Sequence, residues 1–223
     1  MGIEGFFNSI PLCLILTAIP SYFLGSLNGA ILASELFYRE DVRHHGSGNA
    51  GLTNFYRVYG GRYAWCVIAV DMLKAGVSIL IGAFLFKGAV FGKYLGAFFC
   101  VLGHMFPMLY RWKGGKGILC SGMALLCLDW RIALAGWGLF LFFWATTKYV
   151  SLGSVSAAIS FPISTAFIYR GEASFPLLLL LSSLVAILIL WAHRGNIKRL
   201  LNGTESKFKW HSGDPRMKKK KQD

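Results

Sequence analysis

His44-His45-Gly46-Ser47-Gly48-Asn49-Ala50-Gly51-Leu52-Thr53-Asn54, closed by Arg57, is the stretch whose reading decides the fold. Two readings compete for it. Gly46-x-Gly48-x-x-Gly51 has the spacing of a dinucleotide-binding turn, and Asp71 falls about 20 residues later, where a ribose-binding acid would stand. Such a turn follows a buried strand and opens a soluble βαβ unit. This one follows the polar run Tyr38 to His45 and leads into an apolar segment that itself contains Asp71. Context therefore rejects the nucleotide reading and leaves a polar loop between two segments long enough to cross a bilayer. Its chemistry is that of an anion cradle. Glycines let backbone N–H groups turn inward with no Cβ in the way, Ser47, Asn49, Thr53 and Asn54 add side-chain donors, and Arg57 offers a planar fork for phosphate oxygens.

The rest of the chain agrees with a membrane setting. It is 55% hydrophobic and 15% charged, with a mean hydropathy of +0.53, whereas soluble domains carry about 25% charged residues and need no repeated apolar runs of about 20. The chain reads as an all-α integral membrane protein, one polytopic domain over residues 1–210 with a basic tail at 211–223 that is expected to lack order. A net charge of +13 would suggest nucleic acid in a soluble chain, but here most cations fall in short loops beside spans. Cys13, Cys66, Cys100, Cys120 and Cys127 all lie in apolar segments without a CxxC pair, and read as small buried hydrophobes. His44 and His45 have no partners at metal-ligand spacing, so neither metal nor cofactor is expected. Glu4 and the lack of Lys or Arg ahead of the first apolar run argue against a cleaved signal, so the first span is expected to remain.

That span, about Phe6 to Phe37, is too long for one upright crossing, and Pro11, Pro20, Gly25 and Gly29 predict a kink or tilt. The polar loop follows, with a short helix expected over Thr53 to Tyr59 and stopped by Gly60-Gly61. Further spans are expected over Tyr63 to Phe86, Phe91 to Tyr110, Trp130 to Thr147, Val155 to Ile168 and Phe175 to Ala192. Ile118 to Leu128 is short for a crossing and is either a stubby or a re-entrant helix. If it crosses, the protein is a seven-transmembrane-helix bundle. The polar loop, the basic turn Arg111 to Gly117, the polar turn Lys148 to Ser154 and the tail from His193 then share one face. The opposite face keeps only Lys87, Lys93, Arg131 and Arg170, Lys74 lies inside a span, and every other member of the 23 Lys and Arg falls on the first face. Such a bias places the N-terminus outside and the C-terminus in the cytoplasm.

Four polar elements picked out by composition are thus gathered by topology. Lys113 and Lys116 flank Gly114 and Gly115, but Tyr110 stands where a Walker A glycine is required and Gly117 follows Lys116, so an NTPase loop is excluded. His193 and Asn196, three apart on a helix continuing out of the last span, can orient a polar substrate or cap the bundle. Asp71 and Lys74 are also three apart, but within a span, where an unpaired charge costs about 3 kcal/mol; they are expected to pair with each other or with a bundle partner. His104 and Pro107 read as an interior histidine and a kink. Lys218 to Lys221 would favour anionic lipid.

Gly46-Ser47-Gly48-Asn49-x-Gly51-x-Thr53-Asn54-x-x-Arg57, Gly103-His104-x-Phe106-Pro107 leading to Lys113-Gly114-Gly115-Lys116-Gly117, and His193-Arg194-x-Asn196-Ile197-x-Arg199 with Gly203-Thr204-Glu205 resemble the bacterial acyl-phosphate:glycerol-3-phosphate acyltransferases. Gly25-Ser26, Asp71-x-x-Lys74 and Tyr149-Val150-Ser151-Leu152-x-Ser154 are similar to that family as well, so the resemblance runs from about Gly25 to Phe208. It implies a seven-helix bundle in the bacterial inner membrane, with its active site at the cytoplasmic surface. The reaction implied is transfer of a fatty acyl group from acyl phosphate to the sn-1 hydroxyl of glycerol 3-phosphate, giving lysophosphatidate and phosphate. By position, Ser47 and Arg57 would be essential, and Gly46, Gly48, Asn49, Gly51, Thr53 and Asn54 would hold the acyl phosphate. Lys116, Gly114, Gly115, Ser154, His193 and Asn196 would serve glycerol 3-phosphate, and Asp71, Lys74 and Glu205 would be structural. Ala50 stands where the family usually has proline, Leu52 for alanine, Leu119-Cys120 for Ala-Thr and Gly195 for glutamate, which leaves loop rigidity and chain-length preference open.

An acyl phosphate is already an activated anhydride, so positioning and charge stabilisation suffice, and no nucleophile-base pair is needed. No histidine has Asp five positions later, so the His-x4-Asp signature of other glycerolipid acyltransferases is missing. Direct attack, with Ser47 as a hydrogen-bonding group, is the expectation, and an acyl-enzyme on Ser47 is the rival. The competing class, a membrane transporter of organic phosphate, would show repeated halves and broken helices near the midplane. No repeat is visible here. Membrane lipid is the expected surrounding, nucleic acid is not an expected partner, and a monomer is the working expectation.

Overall fold

A computed structural model of the chain describes residues 9–209. The start of the expected first span, and the basic tail at 211–223 with Lys218 to Lys221, lie outside the described residues. Within them all regular structure is helical. The first long apolar segment, Ile10–Tyr38, is not one kinked rod but two helices, α1 (Ile10–Ser26) and α2 (Gly29–Tyr38). Pro11 opens α1, and Pro20 is accommodated inside it. The chain breaks at Leu27 and Asn28, where both residues are extended and the Asn28 carboxamide oxygen accepts from the N–H groups of Ala30 and Ile31. A good N-cap residue directly after the break thus restarts the helix.

The short helix α3 (Leu52–Tyr59) ends at Gly60, whose φ of 79° suits glycine, close to the expected stop. Then come α4 (Ala64–Leu85) and α5 (Val90–Met105). Helices α6 (Ile118–Leu128) and α7 (Trp130–Thr147) have the bounds the apolar pattern predicts. Helix α8 (Val150–Ile168) begins earlier than expected: the polar turn shrinks to Lys148 and Tyr149, because Ser154 returns its hydroxyl to the Val150 carbonyl (2.9 Å) instead of breaking the helix. After α9 (Phe175–Ala192), His193 is a hinge rather than part of a continuing helix, and α10 (Arg194–Leu201) sets off anew.

Among the described residues five segments are long and apolar enough to cross a membrane: Ile10–Tyr38, α4, Val90–Tyr110, α8 and α9. Helix α6 has 11 residues and α7 has 18. Helices α1, α4 and α5 meet through glycines at backbone contact. A Cβ on Gly25 would collide with the Cys100 carbonyl oxygen, and one on Gly103 with the Tyr22 carbonyl oxygen. Lipid tails give apolar side chains no reason to prefer each other, so close backbone approach supplies the dispersion that holds such helices together. Large apolar side chains such as Leu73, Leu80, Phe84, Leu134 and Phe167 point outward, as a lipid-facing surface requires.

Candidate active site

The polar loop is a built cradle, and Asn54 is its brace. The Asn54 carboxamide oxygen accepts from the Ser47 N–H (2.8 Å), and its NH2 group donates to the carbonyls of Val42 (3.2 Å) and His45 (3.0 Å). With all three bonds spent inside the loop, Asn54 is buried in the cavity wall, where it shapes the site and keeps none of these bonds for a ligand. Gly46 and Gly48 hold φ values of 61° and 73°, and a Cβ on Gly46 would also press on Val58 at 3.0 Å. Gly51 opens α3 with no side-chain cap, so the first N–H groups of that helix keep their positive end for an anion. Ser47 and Arg57 are exposed at this rim.

The second loop docks beside the first. Arg43, paired with Asp41 at 2.6 Å, donates to the carbonyls of Tyr110 (2.8 Å) and Lys113 (3.1 Å). That hydrogen-bonded pairing holds the Asp41 carboxyl below the usual carboxylate range. Gly114 and Gly115 give their N–H groups to the carbonyls of Met105 (3.2 Å) and His104 (3.1 Å), so they do not offer them to a ligand. Gly115 is instead needed for close approach: a Cβ there would lie 2.5 Å from the Ala50 carbonyl oxygen. The two glycine-rich loops touch at that oxygen.

A third group completes the rim. Lys116 donates to the Asn196 carboxamide oxygen, and the Asn196 NH2 donates to Glu205 at 2.6 Å. Glu205 also accepts from Ser151 (2.8 Å) and Arg199 (2.7 Å). Burial alone would raise the Glu205 carboxyl, but these three donors outweigh it and leave the group below its ordinary value. Burial pushes the Lys116 ammonium down to about 8, against the pull of Glu205 and helped by Arg199 and Arg57. Burial likewise drives His193 down to about 4, with Lys116 adding to the effect. The neutral His193 ring has its Nδ1 2.9 Å from the Ile189 carbonyl, an obligate acceptor, so Nδ1 carries the proton and Nε2 is left as an acceptor.

These elements surround one cavity of about 1120 Å³. Ser47, Asn49, Gly51, Thr53, Asn54 and Arg57 line it from the cradle, and Lys116, Ser154, His193 and Asn196 from the other side. Of the residues expected to bind substrate, Gly46, Gly48, Gly114 and Gly115 are not among the lining. Away from the rim the wall turns apolar, with Met72, Leu125, Trp137, Phe140, Ala157 and Phe161 among its residues. Small-molecule sites are typically about 300–1,000 Å³, so there is room for a polar ligand and a chain. The segment after α10 also forms wall: Phe208 donates its N–H to the Lys148 carbonyl (2.8 Å) and lies against the rings of Tyr56 and Trp144. Sequence reasoning missed this strap, because nothing in its spacing signals a return to the α7–α8 corner.

Beneath the cradle, Asp71 and Lys74 pair at 2.8 Å, as the i, i+3 spacing suggests, and His104 joins them, with Nδ1 2.9 Å from the ammonium and 3.5 Å from the carboxylate. Asp71, His104 and Cys120 have ligand atoms close enough to hold a metal ion. The Lys74 ammonium stands in contact with two of the three, however, so the cluster suits an internal cation better than a bound one.

The family model described as glycerol-3-phosphate acyltransferase matches residues 15–203. Curated proteins of that name are similar over nearly the whole chain. One from Finegoldia magna is 40% identical over 197 residues, covering 88% of this chain and 97% of its own length. One from Thermoanaerobacter pseudethanolicus is 37% identical over 194 residues, covering 87% and 95%. Among solved structures, PlsY, an integral membrane glycerol 3-phosphate acyltransferase, in its glycerol 3-phosphate form, superposes with a TM-score of 0.76 at 32% identity, covering 88% of this chain and 96% of that one. Its lysophosphatidic acid form gives 0.75 at 31% identity, covering 88% and 95%.

Proposed function

The chain belongs to the glycerol-3-phosphate acyltransferase family, and from that premise we propose that it moves a fatty acyl group from acyl phosphate to the sn-1 hydroxyl of glycerol 3-phosphate. It is a membrane acyltransferase of phospholipid synthesis; the donor, the residue roles and the topology are our reading. One observation carries that reading: two separate cationic, donor-rich clusters, Ser47 with Arg57 and Lys116 with His193 and Asn196, share one cavity that continues into an apolar slot. Two anions and a chain are what the reaction has to hold. Family membership, and the gathering of the polar groups at one end, favour the enzyme over an organic-phosphate transporter.

In this reading the uncapped start of α3, Ser47 and Arg57 hold the donor phosphate, and Lys116 holds the phosphate of glycerol 3-phosphate. The neutral His193 Nε2 accepts a hydrogen bond from a glycerol hydroxyl. The sn-1 oxygen attacks the acyl carbonyl, the bond to phosphate breaks, and a phosphate oxygen of the departing group takes the hydroxyl proton. Ester and hydrogen phosphate result, with no acyl-enzyme. Stabilising charge on the departing phosphate is the main electrostatic task.

For the topology we favour seven crossings, with the N-terminus outside and the site at the cytoplasmic face of a bacterial inner membrane. The Tyr169 hydroxyl lies 3.4 Å from Asp129, which supports a crossing by α6, since Asp129 ends α6 while Gly117, at its start, lies beside the cradle. The decisive experiment supplies purified protein in detergent with palmitoyl phosphate and labelled glycerol 3-phosphate and follows phosphate and lysophosphatidate together. Equal release of both is expected, and Ser47→Ala or Arg57→Ala should lower kcat by at least about 100-fold. Product from acyl-CoA but none from acyl phosphate would overturn the donor assignment.

A further inference from the structure

Asn28 is fully buried in the break of the first membrane segment, and every polar group of its side chain is used. Its oxygen accepts from Ala30 and Ile31 at 3.0 Å each, and its NH2 donates across 22 residues of chain to the Ala50 carbonyl at 3.0 Å. Ala50 is the fully buried middle of the cradle, between Asn49 and the Gly51 that opens α3. Resting on the reading of that loop as the acyl-phosphate site, we propose that Asn28 is a positioning residue for the reaction: it fixes the height of the cradle against the Lys116 loop.

The surroundings of Asn28 are built to aim it. A helix break inside a membrane leaves backbone groups that water cannot satisfy. Here Lys74 donates to the carbonyls of Gly25 (3.0 Å) and Leu27, and Asp71 accepts from the Gly29 N–H at 3.1 Å. Both sides of the break are therefore tied to α4, and the side chain between them has one place to go. This gives the buried Asp71–Lys74 pair a purpose that needs no contact with substrate. On the far side, the Ala50 oxygen that Asn28 holds is the one Gly115 must approach without a Cβ, so the bond also sets the spacing between the two anion sites.

The test separates the cap from the tether. Asn28→Ser keeps an oxygen able to cap α2 but is too short to reach Ala50, and Asn28→Asp keeps size and cap while replacing the donor with an acceptor. Both are assayed beside wild type and Ser47→Ala for thermal unfolding in detergent and for separate dependence on palmitoyl phosphate and glycerol 3-phosphate. We expect the midpoint of Asn28→Ser to fall modestly, as the buried Ala50 carbonyl loses its donor, while at temperatures where the protein stays folded kcat/KM for palmitoyl phosphate falls at least about tenfold and KM for glycerol 3-phosphate changes by less than about twofold. Asn28→Asp should show the same split. Wild-type kinetics in both variants, or losses that fall equally on both substrates and follow the unfolding midpoint, would overturn the inference while leaving the cradle intact. Full activity in Ser47→Ala would overturn the cradle reading, and this inference with it.

Discussion

Lys116 shows how one residue can be both tuned and vulnerable. Burial in the rim lowers its ammonium to about 8, so the cation that our reading assigns to glycerol 3-phosphate is present below that value and lost above it. The KM for glycerol 3-phosphate should therefore rise as pH climbs through about 8, and Lys116→Arg, whose guanidinium stays charged, should flatten the rise. Steady-state kinetics from pH 6 to 9.5 check both. A flat wild-type profile would remove Lys116 from that role. His193, neutral because burial holds it near 4, should add no inflection in the same range.

At the scale of elements, α8 carries the transition from polar to apolar. Ser154, Ala157, Ala158 and Phe161 line the cavity, and their i, i+3, i+4, i+7 spacing puts them on one helix face. Ser154 sits at the rim and Phe161 about 10 Å deeper, at ~1.5 Å per residue. Ala157→Phe should block this slot and shift donor preference from palmitoyl towards shorter acyl phosphates, read as kcat/KM across chain lengths. An unchanged preference would place the chain elsewhere. The junction of α1 and α5 is a different kind of element, held by backbone contact. Gly103→Ala would drive a methyl into the Tyr22 carbonyl oxygen, a backbone atom that cannot swing aside, and overpacking of this kind costs about 1–3 kcal/mol. A lower unfolding midpoint in detergent is the expected result.

For the whole molecule, the site exists only because distant loops arrive at one end of the bundle. After replacement of the 5 native cysteines, Lys113→Cys and Lys148→Cys should react with an impermeant maleimide only from the cytoplasmic side, and Arg170→Cys only from outside. Labelling of Lys113→Cys and Lys148→Cys from opposite sides would overturn both the topology and the shared site. The amino-acid sequence by itself determined the helical membrane class, because apolar runs and the absence of strand signals are local properties. It also determined the bounds of α6 and α7 and the stop of α3 at Gly60, since each depends on neighbours within a turn or two; for Asp71 and Lys74 it left open a mutual pair or a bundle partner, and the structure shows both, the second being His104. Only the tertiary structure decided that Asn54 spends its carboxamide on bracing the cradle, that Gly114 and Gly115 spend their N–H groups on α5, and that Phe208 closes over Tyr56. It alone joined Asn28 to Ala50. Residue type tells what a side chain can donate or accept, but buried groups must find partners, and which partner is within reach depends on how helices far apart in the chain pack against one another.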